Sequence, residues 1–231
     1  MLRARLAALV LIGAIALAGC SSGSDSPTTT SSTAAPVPAA ADVMASAATA
    51  MRAVTSAHFR LTITGTLPDV PVQSAEGDLT SSGDAQGKAT IQQFGQLLEV
   101  EFVFAGDTLY LKGPTGGFTE VPAALAGSVY DPTALLNPDT GVVKVLTSAT
   151  GLGPVTTADG QYTVTGTVPK DVAASLAPGV ATDVDATFTI DADDATVSAI
   201  SFALAGSDGK PAEIELLLSD LNAPVTVTAP S

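Results

Sequence analysis

The residue best placed for covalent chemistry is Cys20, the only cysteine among 231 residues. It closes the run Leu17-Ala18-Gly19-Cys20, the pattern of a bacterial lipobox. Small residues at 18 and 19 fit a peptidase active site, and the thiol can carry diacylglycerol. Arg3 and Arg5 form a basic start, and Leu6 to Leu17 an apolar stretch too short to span a bilayer. The alternative is an ordinary signal peptide that happens to contain a cysteine. A lone cysteine in an exported chain excludes an internal disulfide framework.

The rest of the catalytic inventory is thin. His58 is the only histidine, so a Ser-His-Asp triad would have to use it. It stands at the start of an alternating run, where it faces water. Gly19-Cys20-Ser21-Ser22-Gly23 matches G-x-S-x-G in letters alone. The cleavage point falls inside it, and no strand-to-helix elbow surrounds it. Asp191, Asp193 and Asp194 could attract Ca²⁺, but the glycine and distal Glu of an EF-hand loop are missing. An exposed hairpin turn explains them better. Asp183 and Asp185 share one strand face and meet solvent. No phosphate-binding loop, dinucleotide fingerprint or zinc spacing is present, and we expect neither an enzyme, nor a metal, nor a cofactor.

Charge narrows the partners. The formal net charge is −14, and cleavage before Cys20 removes two arginines more. Such a surface argues against nucleic acid and against a polybasic grip on anionic lipid. Attachment to a membrane must then come from acyl chains on Cys20, where one chain binds marginally and two or more hold stably.

Three segments follow. Residues 1–19 read as a lipoprotein signal peptide. Residues 20–41 comprise the lipidated cysteine and a Ser/Thr/Pro/Ala tether that cannot bury enough apolar surface to fold. Residues 42–231 are long enough for one core in a single domain.

Inside that domain, Asp42 to Thr55 has a helical period, with Val43, Ala47, Met51 and Val54 on one face. From residue 57 the period becomes two, with Phe59, Leu61 and Ile63 inward. Strands are expected at 73–81, 86–94, 97–105 and 107–112. After the middle they follow at 154–158, 161–168, 181–191, 195–205, 211–219 and 224–229. A short helix is expected over 169–176. Short loops, including a Pro68-Asp69 turn, imply an antiparallel meander. The pattern T-[I/V]-T-G-T-[L/V]-P occurs at 62–68 and again at 163–169. This suggests two sheet-forming halves joined by a mostly helical middle, Tyr130 to Ala149. There Asn137 reads as an N-cap and Pro138 as the first helical residue, with Val142, Val145, Leu146 and Ala149 on one face. Gly141 and the valines leave a partly extended segment open.

The chain has no Trp, and its aromatic content is 4%. Inward strand positions are mostly Val, Ile, Leu, Ala and Thr. A curved sheet lined this way can enclose space for an apolar guest, or the small residues can simply pack tightly against helices.

The middle also carries a resemblance. Val129-Tyr130-Asp131-Pro132, followed by Leu135-Leu136-Asn137-Pro138-Asp139-Thr140-Gly141 and an apolar helix, resembles the mycobacterial LppX/LprA/LprF/LprG lipoprotein family. Ser56-Ala57-His58, Gly77-Asp78-Leu79-Thr80 and Ala105-Gly106-Asp107-Thr108-Leu109-Tyr110 add weaker matches, and the central segment is nearest the LprG branch. The resemblance implies an α+β fold: a strongly bent antiparallel sheet, a half-barrel, with helices on its concave face enclosing an apolar cavity. It implies a carrier or chaperone of acylated envelope lipids, anchored extracytoplasmically on the cell membrane, with a fraction released to the cell wall. The implied ligands are acylated envelope lipids: acylated glycolipids such as phosphatidylinositol mannoside or lipoarabinomannan, triacylglycerol-like lipids, or phthiocerol dimycocerosates for LppX-like members. A major-facilitator efflux transporter is an implied partner. The alternative is a regulatory or structural lipoprotein acting through a membrane-protein partner without lipid transport.

Strand parity then names the expected cavity lining. In the first half it is Leu61, Ile63, Ala89, Ile91, Val100, Phe102 and Phe104. In the middle it is Leu135, Leu136, Val142, Val145 and Leu146. In the second half it is Val164, Phe188, Ile190, Ile200, Phe202 and Leu204.

Overall fold

The computed structural model describes residues 37–67, 70–93, 95–122, 132–176, 180–206 and 209–230. Cys20, the Pro68-Asp69 turn, Tyr130-Asp131 and Ser207-Asp208 lie outside the described residues. The unit Pro36–Ser231 is compact.

The chain enters through helix α1, Ala40–Arg52. Its buried face is Val43, Met44, Ala47, Ala48 and Met51, so the helical period read from sequence holds. The helix starts and ends slightly earlier than the alternation suggested. Strand β1, Ser56–Thr64, follows, then β2 Val72–Thr80, β3 Ala85–Gln93, β4 Gln96–Ala105 and β5 Thr108–Lys112. Strand β6, Thr119–Pro122, is a short edge strand that the sequence did not announce. The second run comprises β7 Thr156–Ala158, β8 Gln161–Val168, β9 Val184–Asp191, β10 Val197–Ala205 and β11 Pro211–Ser219.

All eleven strands belong to one sheet, in the order β6-β5-β4-β3-β2-β1-β11-β10-β9-β8-β7. This corrects the picture of two separate halves. β1 pairs antiparallel with β11, Phe59 opposite Leu218 and Ile63 opposite Ile214, and so fuses them. The fold is α+β: a large, bent antiparallel sheet that does not close into a barrel, with helices on its concave face. The two copies of the repeated motif play different parts. Gly65 leaves β1 with φ 89°, whereas Gly166 sits within β8.

Two other expectations fail for local reasons. The stretch 224–229 is extended but pairs with no strand. β1 already has β2 on one side and β11 on the other, so no free edge receives the tail. It is pinned instead at its root. Thr55 donates to Asn222 Oδ1 at 2.8 Å, Asn222 N–H to the Ser56 carbonyl at 2.9 Å, and the Ser56 hydroxyl to the Ala223 carbonyl at 2.5 Å.

The second failure is Asn137 as a helix cap. Its side chain accepts from Asp139 N–H at 2.9 Å, making a local turn. Pro132–Leu136 forms a 3-10 helix, and helix α2 starts later, at Val142, and runs to Ser148. Gly141 precedes it, packed so tightly on the Ala134 and Leu135 carbonyls that a Cβ would collide. Val142, Val143, Val145 and Leu146 are buried. Helix α3, Lys170–Leu176, is as expected but for one residue. Its first N–H donates to Asp183 at 3.0 Å.

β2 and β3 meet through a pair of glycines. Phe59, Gly77, Gly87 and Phe102 stand side by side across four strands. The two glycines lie backbone against backbone, and a Cβ on Gly87 would come within 2.8 Å of the Gly77 Cα and 2.9 Å of the Phe102 ring. The Phe59 and Phe102 rings converge over this gap, centroids 6.5 Å apart. We expect Gly87→Ala to cost about 2 kcal/mol by overpacking. Gly83→Ala, at φ 94° but in open space, should cost about 1 kcal/mol through backbone strain alone. Urea denaturation of the two variants measures the difference.

Candidate functional site

One face of the sheet carries the apolar residues. Phe59, Leu61 and Ile63 of β1 align with Leu218, Leu216 and Ile214 of β11. Those align with Ile200 and Phe202 of β10, and these with Phe188 and Ala186 of β9. α1, α2 and the 3-10 helix bury this face, and one cluster contains residues of all of them. The Val197 N–H, 3.4 Å from Met51 Sδ, marks α1 against β10.

The expected lining residues all lie in α2, the 3-10 helix or on this face, but the structure divides them. Val164, Phe188, Ile190, Ile200, Phe202, Leu135, Val142 and Val145 are fully buried, and Leu61, Ile63, Phe102, Phe104, Leu136 and Leu146 nearly so. They form packed core. Ala89, Ile91, Val100 and Leu204 are only half-buried. Three of these four sit together on β3 and β4, Ala89 opposite Val100 and Ile91 opposite Leu98. The face therefore changes character from β11 toward β4, from closed core to an open apolar track.

Between core and track lies a floor of small residues. Ala75 and Gly77 of β2 stand opposite Ala89 and Gly87 of β3. Phe59 and Leu61 flank them on β1, and Phe102 and Val100 on β4. Phe102 meets Phe104 edge-on at 6.4 Å. The missed members of the face include Leu79, Leu109, Val168, Ile214, Leu216 and Leu218, all buried. The β11 residues were visible in sequence, since Glu213 and Glu215 alternate with them.

The opposite face is polar. A groove of about 490 Å³ there is lined by His58, Arg60, Ser74, Glu76, Lys88 and Glu99 among others. His58 Nδ1 is 2.8 Å from Asp78, and Nε2, the atom that would meet a serine in a triad, is 3.7 Å from Glu76. Both ring nitrogens thus face carboxylates. Arg60 pairs with Glu76 at 3.0 Å and Lys112 with Glu101 at 3.2 Å.

The aspartates at 191–194 close the β9–β10 hairpin. Asp191 accepts from the N–H groups of Asp193 and Asp194 at 2.8 and 3.3 Å. Asp194 accepts the Thr196 hydroxyl at 2.7 Å and its N–H at 2.8 Å. The carboxylates serve their own turn, and among the described residues no three His, Cys, Asp or Glu are grouped to hold a metal.

A family model described as LppX_LprAFG lipoprotein matches residues 39–227. The chain belongs to this lipoprotein family. The lipoarabinomannan carrier protein LprG of Mycolicibacterium smegmatis is 32% identical over 98% of this chain and 95% of its own. That of Mycolicibacterium hassiacum is 33% identical over 100% and 98%. The crystal structure of LprF from Mycobacterium bovis superposes with TM-score 0.70 at 23% identity, covering 83% of this chain and 97% of that one. LppX from Mycobacterium tuberculosis superposes with TM-score 0.61 at 22% identity, covering 82% and 98%. The family thus shares the open sheet and its helix-covered face.

The hydrogen bonds from Thr196 hold the Asp194 carboxyl below its usual range. Its stabilising contribution is therefore full above the unfolded value, about pH 4, and is lost as pH falls through the lower folded value. Asp194 is exposed, so the effect is small. The stability gap between wild type and Asp194→Asn should be constant near neutrality and shrink in acid, as thermal unfolding across pH would reveal.

Proposed function

We propose that this chain is a lipid-anchored envelope carrier that shelters the acyl chains of (glyco)lipids on the concave face and helps move them outward. The observation that carries this reading is the apolar track. Half-buried Ala89, Ile91 and Val100 continue from a floor of small residues, Ala75, Gly77 and Gly87, beside closed core. Its membership of a lipoprotein family, and full-length relatives named as lipoarabinomannan carriers, agree with it.

The physics of transport favours such a surface. Each methylene exposed to water costs about 0.8 kcal/mol, so a sixteen-carbon chain costs on the order of 12 kcal/mol. Covering the chain while the headgroup stays in water removes most of that barrier, and no bond is made or broken. An acylated glycolipid such as a lipoarabinomannan or phosphatidylinositol mannoside supplies both parts. Diacylglycerol on Cys20 would hold the protein on the extracytoplasmic side of the membrane. The tether to α1 would let the domain range about 25 Å from its anchor, taking roughly 5–6 Å times the square root of its length.

Two results test this reading. Native mass spectrometry of the domain from a lipid-making host should find a stoichiometric acylated lipid. Ala89→Trp should reduce that loading several-fold without lowering the melting temperature by more than a few degrees. An unloaded wild-type protein with an intact fold contradicts the reading. Separately, Cys20→Ala should move the protein from the membrane fraction to the soluble fraction on cell fractionation.

A further inference from the structure

The carrier reading leaves open where a lipid enters, and the β3–β4 hairpin bears on this. The two strands pair from Ala85 opposite Phe104 out to Gln93 opposite Gln96. Their neighbours stop short. β2 begins at Val72, opposite Ile91, and the contact on that side ends with Gln92 N–H on the Pro71 carbonyl at 2.6 Å, short of Gln93 and Gln96. β5 reaches only Lys112, opposite Glu101, so Gln96 to Val100 have no strand on that side among the described residues. The hairpin tip therefore projects beyond the sheet.

The tip is apolar on both faces. Ile91 and Leu98 point to the concave side, continuous with Ala89 and Val100. Leu97 has the opposite parity, away from the core, and is 64% exposed, against 37% for Leu217. A side chain facing away from the core gains nothing from that core. The tip is also free of charge. In a chain of net charge −14, no Asp, Glu, Lys or Arg occurs between Lys88 and Glu99. Gln92, Gln93 and Gln96 are polar without the repulsion that carboxylates would meet at an anionic leaflet.

We propose that this hairpin tip docks in the lipid–water interface and makes the track of Ile91, Leu98 and Val100 the entrance for acyl chains. The proposal rests on the carrier reading for its purpose, while the docking itself stands on the geometry above. The free edge of Gln96 to Val100, on the side away from β3, sets the depth. Its N–H and C=O groups keep water or headgroup partners at the interface and would lose them in the hydrocarbon core. The tip therefore lies shallow, and Leu97 and Leu98 provide the apolar contact. The acidic remainder of the domain is held off an anionic surface, so the tip leads.

The chain lacks tryptophan, which makes a clean test possible. The mature chain carrying Cys20→Ser keeps the whole folded unit and has no anchor of its own. In it, Leu97→Trp should show a blue-shifted emission on adding vesicles of phosphatidylcholine with phosphatidylglycerol. Leu217→Trp, away from the tip on β11, should not shift. No shift at position 97, or equal shifts at both, overturns the docking. Leu97→Asp should melt like wild type, because the side chain is exposed, yet take up fluorescent lipid from vesicles about tenfold more slowly. Unchanged uptake overturns the entrance. If the Leu97→Trp variant docks while wild type carries and takes up no lipid, the carrier reading fails and the docking stands.

Discussion

The pairing of β1 with β11 is the constraint on which the rest of the molecule depends. It joins the first strand after α1 to the last strand of the chain, so neither half of the sheet is complete without the other. Through it Phe59, Leu61 and Ile63 acquire Leu218, Leu216 and Ile214 as neighbours. That row sets which side of the other strands is apolar, because side chains alternate along each strand except at the irregularities after Val197 in β10 and after Val72 in β2. The pairing also fills both edges of β1. The tail beyond β11 is left to run over the surface, tied by Asn222 and Ser56 at its root.

On that shared face the size of the side chains decides what each region does. Around β9 to β11, Phe188, Phe202, Ile200 and Leu216 are buried beneath the helices. Across β2 and β3 the same face carries Ala75, Gly77, Gly87 and Ala89. Glycine lets the backbones approach, and it lets Phe59 and Phe102 meet over the gap. Further along β3 and β4, Ile91 and Val100 on the same face are only half-buried. One parity thus gives three environments: sealed core, small-residue floor and open track.

This separates what local sequence encodes from what it does not. Period-two alternation placed most of the strands and put Leu61, Val164 and Phe188 on the correct face. Parity is a property of the strand alone, so it could be read without the fold. Burial is different. Phe188 and Val100 have the same parity, yet only the first lies under packed helices, and that depends on docking between distant segments. The fusion of the two halves failed for the same reason: the β1–β11 partner lies some 160 residues away and leaves no local mark. Asn137 shows a competition between local options. Its side chain can cap a helix or close a turn, and the close approach of Gly141 to the Leu135 carbonyl selects the turn.

The small floor creates a difficulty that the other face helps resolve. Register between strands is normally pinned by apolar side chains of distinct shape. Ala75, Gly77, Gly87 and Ala89 have almost no shape to distinguish one alignment from another. On the outer side of the same strands, charges alternate across the sheet: Arg60 faces Glu76, Glu76 faces Lys88, Lys88 faces Glu101 and pairs diagonally with Glu99 at 3.5 Å, and Glu101 faces Lys112. Each exposed pair contributes at most about 1 kcal/mol, too little to hold the fold together. Acting on alignment, though, they work in concert. A two-residue slip of β2 against β3 keeps every side chain on its own face but moves Glu76 from Lys88 to Gln86 or Thr90. The turn between the strands, where the Thr80 N–H donates to the Asp84 carbonyl at 2.9 Å, resists the same slip. The outer ladder thus supplies the register information that an inner floor of small residues gives up. Charged residues in this acidic protein are spent where the sheet is otherwise least specified.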